Sequence, residues 1–326
     1  MTSDSTFLTY YWNWRVVLCA ISILLPMLAA SFMIWKYEFL DRLKSVKGES
    51  HPETAWFIQP DDAWKPCLRS VHPVCLLAFR VAAFCLLLAI IVKDILLNGG
   101  STLYFYTQWT FILVTIYFGL GVFLSVYGCL WRGHQEIGSG HDIDHFVVDT
   151  ESGYYVPLPH GEATDLTIVR HGRVSQIAGF CSHLLQVIFQ INAGAVMLTD
   201  CVYWLIIFPS LTIKEYNLSF MAFNLHSLNA IFLLGDTALN SLRFPWFRIS
   251  YFVLWTGIYV IFQWIIHACI PIWWPYPFLD LSSPYAALWY AVVALMHIPC
   301  FSLFALIVKM KHKLMSRCFP QSYDCR

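Results

Sequence analysis

The chain has 326 residues, of which 58% are hydrophobic and only 12% charged, and its twenty Lys and Arg balance twenty Asp and Glu. A soluble domain carries roughly 25% charged residues, so this complement cannot solvate a globule of this length. The composition excludes a soluble enzyme, a disordered chain and, for want of a basic excess, a nucleic-acid binder; it leaves an all-α polytopic integral membrane protein.

Long uncharged runs mark the spans, since a helix needs about 20 apolar residues to cross the hydrocarbon. Seven are expected: Val16–Trp35, Val74–Val92, Thr102–Trp131, Ser175–Phe208, Phe220–Leu242, Ile249–Ala268 and Tyr285–Val308. Continuous apolarity favours helices over barrel strands, which would alternate over about ten residues. The first run is too long for a signal-peptide core. The intervening loops separate by sign. Arg15, Lys93 and Lys214 are the only Lys or Arg in the N-terminal tail and in loops two, four and six. Sixteen lie in loops one, three and five and in the C-terminal tail, and the twentieth, Arg80, is inside the second span. The positive-inside rule then places the N-terminus outside and the C-terminus in the cytosol. The chain divides into an extra N-terminal span with its cytosolic loop (1–73), a six-helix membrane core (74–308) and a basic cytosolic tail (309–326). The endoplasmic reticulum and the plasma membrane are the expected locations.

Function must be read from the polar residues that remain inside apolar runs: Arg80, His183, Asp200, His226, Asp236, His267 and His297. Arg80 and Asp236 both fall about 9 Å below the cytosolic boundary, at 1.5 Å per residue. They read as a structural ion pair or as side chains snorkelling to the headgroups, and His183 lies at a comparable level. Near the outer face, Thr107, His226 and Asp200 share a layer about 8–12 Å deep. A hydroxyl, an imidazole and a carboxylate in one layer suit a nucleophile, a base and an orienting group. The competing reading is a threonine bonded to its own helix and a histidine bridging two helices.

The sixth loop reads Pro271-Ile272-Trp273-Trp274-Pro275-Tyr276-Pro277-Phe278. It is either an interfacial aromatic belt or a rigid cap over a lipid groove on the side of Thr107 and His226. His141, Asp144 and His145 form a cluster in loop three whose spacing fits no zinc pattern. Asn217-Leu218-Ser219 is an N-glycosylation sequon on the outer side. Most of the eleven cysteines fall inside spans and read as small packing residues, while Cys318 and Cys325 are placed for palmitoylation.

Tyr106-Thr107-Gln108-Trp109, His226, Asp236, Pro245 and Trp274-Pro275-Tyr276-Pro277-Phe278 resemble the androgen-induced/androgen-dependent TFPI-regulating family of membrane proteins, and more closely its rolling-stone-like and plant branch. The resemblance spans 74–308. It implies a membrane threonine hydrolase cleaving fatty acid esters of hydroxy fatty acids, with Thr107 as nucleophile and His226 as base. Three features depart from the pattern: a second histidine close before His226 is missing, a span precedes the family region, and loop three is longer. The expected partners are membrane lipids, including a fatty-acid ester substrate, with no cofactor, no metal and no nucleic acid. The oligomeric state is left open. The alternative expectation is a non-catalytic scaffold, lipid-binding or cell-fusion protein of rolling-stone type. A transporter is disfavoured because neither repeats nor paired broken helices occur.

Overall fold

Helix formation follows the apolar runs closely. The structure, a computed structural model, describes residues 13–40, 60–138, 164–209 and 220–324. Its described residues hold seven α-helices: α1 (Trp14–Ile34), α2 (Pro73–Asn98), α3 (Tyr106–Gly138), α4 (Thr164–Val202), α5 (Phe220–Leu239), α6 (Ile249–Cys269) and α7 (Ala286–Cys318). No strand occurs among them, only two isolated antiparallel bridges, Pro66 to Asn240 and Leu68 to Tyr323. Among the described residues six helices, α1 to α4, α6 and α7, are long and apolar enough to cross a membrane.

Local chemistry sets the helix ends. Asn13 caps α1 by accepting from the Arg15 amide at 3.3 Å. Pro73 occupies the first turn of α2, where its missing N–H costs nothing. That helix stops at Gly99, whose φ of 64° is open to glycine at no steric cost. Pro26 and Pro299 lie inside α1 and α7, as proline does in membrane helices whose neighbours satisfy the freed carbonyls. Two ends are wound as π turns, Trp35–Leu40 after α1 and Tyr203–Ile207 after α4.

Helix α4 is the hub. It packs against α3, α5, α6 and α7, and 83% of its apolar window is buried inside the protein, against 11% for α1. Helix α1 leans on α6 and α7 from outside. Gly194 lets α4 approach α6, because a Cβ there would lie 2.3 Å from the ring of Phe252. The core is in two parts. One surrounds Phe111, Phe118 and Phe189, on α3 and α4. The other gathers Tyr106, Phe252, Tyr259, Tyr276 and Phe301 towards the opposite end.

Two sequence expectations change. The third span does not begin at Thr102: residues Gly99–Tyr104 form a 3-10 turn and α3 starts at Tyr106. Thr107 therefore sits in the first turn of the helix and not five residues inside it. Loop three is also shorter than 132–174, because α3 runs on to Gly138 and α4 begins at Thr164.

Candidate functional site

Thr107 is held by the turn that delivers α3. The Tyr104 carbonyl accepts from the Tyr259 hydroxyl and from Gln263 Nε2, both at 2.8 Å, which ties the turn to α6. Tyr106 shares a hydrogen bond with Thr256 at 2.9 Å, and Trp109 Nε1 donates to the Leu103 carbonyl at 2.9 Å. An amide in the first turn of a helix has no intrahelical acceptor. The Thr107 N–H instead donates to the Tyr276 hydroxyl at 3.4 Å, and Thr107 Oγ1 meets that same hydroxyl at 3.3 Å.

Tyr276 comes from the aromatic loop between α6 and α7. Pro277 opens a short 3-10 turn, Pro277–Leu279, immediately after it. The Tyr276 ring stacks on Phe278 with centroids 5.0 Å apart and meets Phe105 edge-on at 5.9 Å. It is 9% exposed, and burial raises the phenol above its ordinary pKa. The hydroxyl thus keeps its proton while it accepts from the Thr107 amide, leaving that proton to donate. Within this loop Tyr276 meets Thr107 and Phe278 lines the cavity that Thr107 also lines, while Trp273 is 58% exposed, as an interfacial ring would be.

His226, on α5, lies against α4. Its ring stacks on Tyr203 with centroids 3.6 Å apart and planes 9° from parallel, and its Nδ1 is buried without a hydrogen-bond partner. Tyr203 opens the π turn, and Tyr203 and Ile207 both face the same cavity as Leu198, Thr199 and Val202. That cavity also receives Thr107, His226 and Tyr276. It encloses about 500 Å³ of empty space, counting its open mouth, and its walls are almost wholly apolar. Thr107 and His226, distant in sequence, thus share one chamber beneath the aromatic loop. Among the described residues no hydrogen bond joins them. Asp200, half-buried on α4, is not among the residues lining the chamber and makes no hydrogen bond or ion pair with His226. Gln108 and Trp109, the sequence neighbours of Thr107 and adjacent candidates for an oxyanion donor, turn elsewhere. Trp109 spends its N–H on Leu103 and packs on Trp255 and Tyr259, while Gln108 is buried with its Nε2 unpartnered, away from the lining residues.

At the other end of the bundle the buried charges are structural. Arg80 Nε donates to Asp236 Oδ1 at 2.8 Å, and both side chains are fully buried. Arg80 Nη1 also reaches the Ala63 carbonyl and Ser125 at 2.8 and 2.9 Å. The second carboxylate oxygen accepts from Tyr117 and from Asn240. Of the two readings of Arg80 and Asp236, the ion pair holds. His183 does not join it: its Nε2 lies 3.6 Å from Glu38, the carboxylate at the end of α1. Glu38 also pairs with Arg248 at 3.0 Å and accepts from Tyr251. Arg248, counted in the sequence among the charged loop residues, is buried and passes on to Gln186 at 2.6 Å.

The His141, Asp144 and His145 cluster, the Asn217 sequon and Cys325 lie outside the described residues. Among the described ones no group of three His, Cys, Asp or Glu could hold a metal ion. No protein-family model, curated protein or solved structure matches the chain.

Proposed function

We propose that the protein is a seven-span membrane hydrolase of lipid esters, of the type its sequence resembles, with its N-terminus outside and its C-terminus in the cytosol. The observation that supports it best is the meeting of Thr107 and His226 in one apolar chamber. A chamber of this lining accepts an acyl chain and places an ester carbonyl beside Thr107 and His226. His226 takes the Thr107 proton as Oγ1 attacks the carbonyl carbon. The same proton then passes to the departing alcohol, leaving an acyl-threonine. Water, deprotonated by His226, attacks the acyl carbon, and the acid leaves as Thr107 regains its proton. Tyr276 and the Thr107 amide are the donors nearest the forming oxyanion. Without a contact from Asp200, His226 is oriented by its stack on Tyr203.

The test is covalent labelling by a fluorophosphonate probe in purified, full-length protein. Wild type is labelled, and Thr107→Ala and His226→Ala each abolish labelling; labelling retained in both variants refutes the assignment.

A second reading, a non-catalytic lipid-binding scaffold or fusion protein, is favoured by one fact: the Thr107 hydroxyl is bonded to Tyr276 and not to His226. It predicts saturable lipid binding without turnover on any simple or branched fatty-acid ester.

A further inference from the structure

A second cavity lies between α1, α6 and α7. It encloses about 500 Å³ including its opening, and Pro26, Met27, Gly257, Ala294 and His297 contribute to its wall. Thr256, Val260, Phe278, Leu279 and Val293 form the wall it shares with the first chamber. Its surface is almost entirely apolar, and its hydroxyls are engaged. Ser22 gives its proton to the Leu18 carbonyl at 2.9 Å, Thr256 to the Phe252 carbonyl at 3.2 Å, and Tyr290 to the Leu279 carbonyl at 2.9 Å. Two groups are left over, the half-buried Trp289 indole N–H and His297. His297 is 5% exposed, and its Nε2 is buried with no partner.

The tautomer of His297 follows from its other nitrogen. Nδ1 lies 2.9 Å from the Val293 carbonyl, and a carbonyl only accepts, so Nδ1 carries the proton. No acidic side chain lines the cavity to support a second proton on the ring. Nε2 is then a bare lone pair, and since Nδ1 turns back towards its own helix, Nε2 points away from it. The cavity therefore offers one buried acceptor, His297 Nε2, beside the indole N–H of Trp289 in its wall. An ether, ketone or ester oxygen has no proton to give that acceptor. An aliphatic hydroxyl finds a partner at a depth of α7 where water does not compete, about 16 Å from the first residue of the helix.

We propose that this cavity is a binding site for a long-chain lipid bearing an aliphatic hydroxyl, with His297 Nε2 accepting the hydroxyl proton and α1, α6 and α7 enclosing the chain. The site is separate from the Thr107 chemistry and stands whether or not Thr107 is a nucleophile. It also gives α1 a role, since α1 closes one side of the cavity.

The experiment uses full-length protein in phosphatidylcholine vesicles and a photoreactive, alkyne-tagged long-chain primary alcohol, competed by the untagged alcohol or by its methyl ether. The expected label falls on α7 around His297 or on the facing turns of α1 and α6, and the alcohol competes about fivefold better than the ether, the difference one net hydrogen bond makes. His297→Leu removes that preference while leaving the chain bound. Ala294→Phe fills the cavity from its wall and lowers labelling at least several-fold, which keeps the test intact should His297→Leu not fold. Equal competition by alcohol and ether in wild type, an undiminished preference in His297→Leu, or label confined to other helices overturns the proposal.

Discussion

The Tyr276 hydroxyl stands in contact with both the amide and the side chain of Thr107. The sequence left its loop between an interfacial belt and a cap on the side of Thr107, and gave no role to this one hydroxyl; only folding brings it over the first turn of α3. In Tyr276→Phe the stack on Phe278 survives and the donor is lost. The rate of fluorophosphonate labelling should fall about 10- to 100-fold, as when an oxyanion donor is removed, with little change in thermal stability. An unchanged rate would leave Tyr276 a packing residue. Arg80 presents a different case, because depth already offered Asp236 as its partner, with snorkelling to the headgroups as the alternative. Arg80→Ala strands Asp236 without its cation and should cost about 3–5 kcal/mol. Replacing both residues by Leu and Met should cost less, in either case read from denaturation in detergent. Glu38 and Arg248 were not legible in this way, since each sits at a span boundary, where a charge normally reaches water.

At the level of elements, the helices were visible in the apolar runs and their ends were not. Sequence polarity cannot separate Thr102–Phe105 from α3, because a 3-10 turn at the bilayer surface is as apolar as the helix it feeds. Nor can it register the π turn at Tyr203–Ile207, which sets the face that Tyr203 presents to His226. The α4–α6 crossing depends on Gly194 in a way that the sequence does not announce. Phe252 is fully buried and cannot swing aside, so Gly194→Ala should lower stability by about 1–3 kcal/mol as overpacking does. Combined with Phe252→Ala the two losses should be less than additive. Strict additivity in thermal melts would mean that the two helices do not meet there.

For the whole molecule, two ends with different chemistry stand apart. One holds the Arg80–Asp236 and Glu38–Arg248 networks; the other holds Thr107, Tyr276 and the mouth of the chamber. On the proposed topology, which rests on the division of Lys and Arg, the first end faces the cytosol. The chamber was only partly foretold. Depth placed Thr107, His226 and Asp200 in one layer, but depth carries no information on rotation about a helix axis, and Asp200 falls outside the chamber. Orientation is tested with variants keeping a single cysteine. Cys269 ends α6 and Cys318 ends α7, and both are exposed. In sealed vesicles an impermeant maleimide should reach one of them directly and the other only after permeabilisation, with Cys269 on the outer or lumenal side. Labelling of both from the same side would contradict the proposed topology.

The most direct test of the threonine assignment is the position of the covalent adduct. Wild-type protein treated with a fluorophosphonate, digested and read by mass spectrometry should carry the phosphonyl group on Thr107 itself. The His226→Ala protein should carry none. An adduct on a serine or tyrosine elsewhere, with Thr107 unmodified, would contradict the proposal that Thr107 is the nucleophile.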